Sequence, residues 1–249
     1  MTLTLTFHGH ATFSLQSGET HILTDPNVSE RALLLKRCQK AIFDPFSWRH
    51  VTAVILTNAH YHRLDIPTYK SLPINTPILT PKSVDRYLMR RHGGNPQSLK
   101  PGKCWEGPGV VITALKATHK GARLTSLRYP HSAHYLIQMD GKTIFYAGDS
   151  AYGQDFAVWG EQHAIDLAIL PIDFVGLESV SLNRYLTAET AWRTFLDLKA
   201  KKMVPNAFGA FVTFGRNPSL APKRLMELAS ADSMADKVCL MTPGQVMSF

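Results

Sequence analysis

Cysteine is scarce in this chain. Cys38, Cys104 and Cys239 are far apart and odd in number, which argues against a disulfide framework and against a cysteine-built zinc site. No apolar run approaches the ~20 residues a membrane helix needs. Low-complexity tracts and internal linkers are missing, and 45% hydrophobic with 18% charged residues describes a globular protein without a disordered tail. There is no glycine-rich phosphate loop, no nucleotide fingerprint and no Ser-His-Asp order. Acid is the scarcer charge: 19 Asp and Glu against 27 Lys and Arg leave a net charge of +8. That balance favours anionic partners such as phosphorylated metabolites or lipid head groups. The basic clusters KRCQK (36–40) and MRRH (89–92) are short and carry no nucleic-acid module signature, so nucleic acid ranks below a small anion. The N-terminus MTLTLTFHGHATFSL has no basic n-region and reads directly as a strand, which predicts a cytoplasmic protein.

What is present is strand material with helices between. Residues 3–7, 11–16 and 20–24 alternate apolar and β-branched side chains and read as a meander. Residues 27–50 break the pattern: ERALLLKR reads as a helical turn or two and FDPFSWRH as irregular, a candidate flap beside a site. VTAVIL is a buried strand, and a helix begins near Asp65. PILTP is a short strand, and SVDRYLMRRHGG a helix with Ser83 as N-cap and Gly93 as its stop. GVVITALKATH, HYLIQMD and KTIFYAGD are successive strands, the last two joined by the Asp140-Gly141 turn. IDLAILPID is another strand. TAETAWRTFLDLKA is a helix capped by Thr187 with Trp192 and Phe195 in the core, LAPKRLMELASA a further helix, and KVCLMTPG a last strand. Strand runs with interleaved helices predict two sheets packed face to face with helices outside, in one domain over 1–249.

Three loops collect metal-ligand chemistry. TNAHYHRLD, KATHKGARL and FYAGDSAYG each follow an apolar strand and together offer His60, His62, His119 and Asp149. Imidazoles and carboxylates on loops fixed by rigid strands are how hydrolases hold zinc with a coordination position open for water.

These loops, with GHATFSL, ILTDP and DLAILPI in order along the chain, resemble the metallo-β-lactamase fold superfamily. The branch they are most similar to contains L-ascorbate-6-phosphate lactonase and N-acylphosphatidylethanolamine phospholipase D. The resemblance implies an α/β (α+β) fold, a four-layered αβ/βα sandwich with metals at one edge. It also implies hydrolysis of an anionic small molecule, a phosphorylated lactone or a phosphodiester, by metal-activated water. The family's His-x-His-x-Asp-His motif is altered here. Asn58 stands at its first histidine, His60 keeps the second, His62 replaces the aspartate and Arg63 the last histidine. His119 and Asp149 match the next ligand and the bridging carboxylate, and Ala207 falls where the final histidine belongs. Three of seven ligand positions remain.

The losses fall on the second metal. Alanine coordinates nothing, and a guanidinium has no lone pair to offer. An inward Arg63 would repel a dication ~4 Å away by roughly 8 kcal/mol at an effective dielectric of 20. Two readings stand: one zinc or manganese ion held by His60, His119 and Asp149, with His62 as proton acceptor beside Asp149, or a metal-free, catalytically inactive relative that binds a ligand or partner. Around this centre, His10 is assigned to hold a neighbouring loop, Asp25 to orient a site histidine, and Asn58 and Arg63 to line the pocket. His131, His134 and Tyr185 are candidate pocket residues, and Arg123, Arg128, Arg184 and Arg216 candidate sources of positive potential at its mouth.

Overall fold

The computed structural model describes residues 2–119, 131–173, 184–211 and 217–249. Arg123, Arg128 and Arg216 lie outside them. Two sheets carry the molecule. The first runs β15 (Val246–Ser248), β1 (Thr4–Gly9), β2 (Thr12–Ser17), β3 (Thr20–Thr24), β6 (Ala53–Ile55), β7 (Pro77–Thr80) and β8 (Asn95–Ser98). The second runs β14 (Lys202–Asn206), β13 (Leu167–Pro171), β12 (Lys142–Tyr146), β11 (Ala133–Met139), β10 (Val110–Lys116) and β9 (Cys104–Gly107). A small antiparallel hairpin, β4 (Arg31–Ala32) with β5 (Leu35–Lys36), stands apart from both.

Alternation along the strands explains the layers, since successive side chains point to opposite faces. Phe7, Phe13, Leu15, Ile22 and Ile55 of the first sheet meet Ile112, Tyr135, Ile137, Ile144, Tyr146 and Ile169 of the second in one buried cluster. The opposite face of the second sheet, with Leu136, Phe145, Ala168 and Leu170, is covered by helices Asp155–Gln162, Ala188–Asp197 and Leu220–Ala231. The outer face of the first, with Leu23, Val54 and Ile78, is covered by Trp48, Tyr69, Val84 and Leu88 from helices Ile66–Lys70 and Val84–Arg91 and their neighbours. This is the expected four-layered αβ/βα sandwich.

Local departures have local causes. ERALLLKR forms the β4–β5 hairpin rather than helix, because Ala32 and Leu35 find apolar cover on Ala210, Phe211 and Tyr61. KVCLMTPG does not form the last strand: its Val238 makes one isolated bridge to Met203, and β15 supplies the final pairing to β1. Ser83 sits at φ +73° with no side-chain cap bond, whereas Thr187 does cap its helix, reciprocally with Thr190.

Candidate functional site

The site is built where strands of both sheets release their chains at one edge. Asp25 follows β3, the loop Thr57–Arg63 follows β6, His119 follows β10, Asp149 follows β12 and Ala207 follows β14. Backbone bonds fix these departures: Asp25 N–H donates to Ile55 (2.8 Å), and Ala133 N–H to Thr57 (2.9 Å), tying the two sheets together at this edge. Ala207, at φ +58°, donates its N–H to the His10 carbonyl (2.9 Å) and so closes the rim.

At the centre lies an ionic triad with no exposed charge. The Arg63 guanidinium, 0% exposed, donates from Nη1 to Asp25 Oδ2 at 2.8 Å and from Nη2 to Asp149 Oδ1 at 2.6 Å. Asp25 also accepts from the Thr57 N–H and hydroxyl, both at 2.7 Å, and from the Tyr146 hydroxyl at 2.8 Å. Burying three charges is costly, and these directed ion pairs and hydrogen bonds offset it. Burial pushes Arg63 down, but Asp149 and Asp25 more than reverse this and raise it, so it stays a cation. Burial pushes Asp149 up, and Arg63, His62 and His60 outweigh that, holding the carboxyl well below the usual carboxylate range. For Asp25 burial wins and pushes the carboxyl upward. The Arg63 guanidinium, the two Thr57 donors and the Tyr146 hydroxyl act against that push.

The second oxygen of Asp149 faces the histidines. Oδ2 accepts from Asn58 Nδ2 (3.0 Å) and from His60 Nδ1 (3.1 Å), and His62 Nε2 lies 3.5 Å away. His119 Nδ1 donates to the Arg184 carbonyl at 3.0 Å. These two bonds set the tautomers. With the Nδ1 protons of His60 and His119 committed to oxygens, both Nε2 atoms carry lone pairs, and they face each other at 3.5 Å. Two converging lone pairs repel unless a cation stands between them. His60, His119 and Asp149 each bring a donor atom within 4.8 Å of the others, so this corner fits one divalent ion. Burial also lowers His119 to about 4 and His62 to about 3, leaving both neutral at pH 7, as lone-pair donors must be.

The other half of the site does not fit an ion. Asp149 Oδ1, the oxygen a bridging carboxylate would give to a second metal, is held by Arg63. Ala207 offers no donor. His62 is turned instead toward His10, whose Nε2 lies 2.9 Å from its Nδ1. Its Nε2 makes no directed hydrogen bond.

The remaining candidates divide. Tyr185 packs its ring 4.6 Å from His119, and burial and Asp149 push its phenol up. Arg184 enters through its backbone carbonyl, so its contribution at that contact is a hydrogen bond and not side-chain charge. His134 is not a pocket residue. It lies on the outward face of β11 among Phe145, Phe156 and Trp159, and its Nδ1 accepts from the Gly148 N–H at 3.2 Å. His131 is exposed ahead of β11. Strand parity separates His134 from the site: the register that turns Tyr135 inward turns His134 outward. Residue motifs gave no sign of Asn27 and Tyr146, which brace the site. Asn27 donates from Nδ2 to the carbonyls of Tyr61 (3.3 Å) and His62 (3.0 Å).

With this geometry in hand, the comparison with known proteins is direct. The beta-lactamase superfamily domain matches residues 20–206. The chain belongs to the metallo-β-lactamase superfamily. Its relatives include the UPF0173 metal-dependent hydrolase YtkL of Bacillus subtilis, 26% identical with 98% of this chain and 96% of YtkL covered. Among solved structures, the isothiocyanate hydrolase from Delia radicum gut bacteria superposes with a TM-score of 0.81 at 21% identity, covering 99% of each chain. Igni18, a metallo hydrolase from Ignicoccus hospitalis, superposes at 0.77 and 20% identity, covering 100% of this chain and 99% of its own. The superfamily membership and the sandwich fold are therefore settled, and the kinship is with metal-dependent hydrolases.

Proposed function

We propose that this superfamily member, a single domain over 1–249 with segment 27–50 on the rim of its site, is a hydrolase working with at most one divalent ion, zinc or manganese. His60, His119 and Asp149 would hold it. The supporting observation is the pairing of two imidazole lone pairs at one end of Asp149 with a guanidinium clamped on the other. When bound, such an ion supplies a water acidified toward neutral pH. The chain's own residues do the rest. Arg63 fixes the carboxylate of Asp149 and supplies the positive charge that a second ion would bring. His10 holds the His62 ring with its Nε2 3.5 Å from Oδ2 of Asp149; lowered to about 3 by burial, that imidazole lines the site as a neutral polar group and is a weak base. Asn58 keeps Oδ2 oriented.

The substrate we infer is an anionic small molecule, a phosphorylated lactone or a phosphodiester, in keeping with the net charge of +8. Calorimetric titration of chelator-treated protein with zinc and manganese, paired with hydrolysis assays on both substrate classes, tests this reading. One binding event per chain and metal-dependent turnover, both abolished in His119→Ala, are expected.

One observation favours a second reading. Asp149 is already satisfied by Arg63, Asn58 and His60, so the network closes without an ion, as in a relative that binds a ligand without hydrolysing it. Absence of any metal heat and of turnover in every metal would select that reading.

A further inference from the structure

The β4–β5 hairpin breaks two local rules at once. Its two-residue turn is Leu33-Leu34, and Leu33 adopts φ +55°. Two-residue hairpins with positive φ at the first turn position take glycine there, because a side chain is strained in that conformation. The chain instead places leucine and leaves the tip uncovered, Leu33 50% and Leu34 84% exposed. One pair below the Ala32–Leu35 pair that closes the turn, Arg31 pairs across the ladder with Lys36, both exposed. Like charges opposite one another destabilise a strand pair.

Neither feature reflects a loosely held loop. The root of the hairpin is fixed: Ala32 packs with Ala210 and Phe211, and the Cys38 N–H donates to the Ala210 carbonyl at 2.7 Å. The buried Arg37 donates to the carbonyls of Ser29 (2.8 Å) and Asn27 (2.7 Å) and stacks 4.5 Å over Phe211. The same Phe211 touches His10, so the hairpin stands on the rim of the site and projects a fixed tip. Farther along the segment Phe46, 66% exposed, carries Arg49 over its ring at 4.6 Å, a second pairing of apolar surface with a cation.

We propose that the Leu33-Leu34 tip is an interfacial anchor that docks the rim of the site on an anionic lipid bilayer. Both anomalies find their complement there. Acyl chains cover the two leucines, while lipid phosphates sit between Arg31 and Lys36 and relieve their repulsion. Weak apolar insertion combined with basic residues is the pairing of signals that peripheral binding requires. A second copy of this chain is the poorer occupant. Two tips meeting would bring two Arg31–Lys36 pairs together, on molecules that each carry +8.

The test is co-sedimentation of the full chain with vesicles of equal parts phosphatidylglycerol and phosphatidylcholine, with pure phosphatidylcholine as control. The wild type is expected to partition onto the anionic vesicles, less so as salt rises, and not onto the control. Leu33→Gly with Leu34→Asn installs a turn sequence suited to the backbone. It should keep or raise the melting temperature while lowering partitioning ~tenfold or more, by removing the inserted apolar surface. Arg31→Gln with Lys36→Gln should also weaken partitioning and flatten its salt dependence. Three results would overturn the proposal: no partitioning of the wild type, equal partitioning onto both vesicles, or partitioning kept by the folded Leu33→Gly/Leu34→Asn variant. A wild-type dimer that becomes monomeric in that variant would assign the tip to self-association instead.

Discussion

Arg63 is the residue on which the chemistry turns. Its two terminal nitrogens reach Asp25 and Asp149, one on each side. Arg63→Ala leaves two carboxylates buried without a counter-charge, and urea unfolding should show a loss of about 3–5 kcal/mol. Added divalent metal should recover part of that loss, because the vacated space then lies between two carboxylates. Wild-type stability should respond far less to a second equivalent of metal. His134 makes a separate prediction. Its Nδ1 must stay unprotonated to accept from Gly148, and burial lowers it from 6.5 to about 3. Between those values the unfolded chain binds a proton that the folded one refuses. Its contribution is thus complete above pH 6.5 and declines as pH falls toward 3, at about 1.4 kcal/mol per pH unit. His134→Gln should flatten the acid limb of stability against pH; an unchanged limb would mean that the ring titrates in the fold.

At the scale of elements, the loops converge because the strands before them are rigid and buried, and this much was legible. The apolar runs VTAVIL, GVVITALK and KTIFY each led into a site loop, and periodicity located them. Periodicity did not tell which face His134 would take, since it depends on the β11 register with β10 and β12. Nor did it reveal the β4–β5 hairpin: LLL carries no turn residue, and the pairing is imposed by Ala210 and Phe211, distant in sequence. Gly148 shows how tightly the Asp149 loop is seated. A Cβ there would come 2.5 Å from the Ala133 carbonyl and 2.8 Å from Thr57 Cβ, both on fixed backbone or close to it. Gly148→Ala should therefore displace Asp149 and weaken metal binding at least ~tenfold, through misplacement of a ligand held by its loop. Metal titration of the folded variant measures it.

Across the whole molecule, the four layers followed from alternation and amphipathic helices, which any sequence with these periods must satisfy. The site was only partly legible. The sequence named His60, His119 and Asp149 as a converging set and Arg63 as an obstacle to a second ion. It carried no information on tautomers, which are fixed by hydrogen bonds to Asp149 and the Arg184 carbonyl, nor on the clamp from Asp25. Among the described residues no helix is long and apolar enough to cross a membrane. The most direct measurement of the central claim is an anomalous-scattering map at the zinc edge, from crystals soaked in zinc. A single peak among His60, His119 and Asp149, with guanidinium density between Asp25 and Asp149, is the predicted result. Two peaks bridged by Asp149, with Arg63 swung out of the cleft, would contradict it.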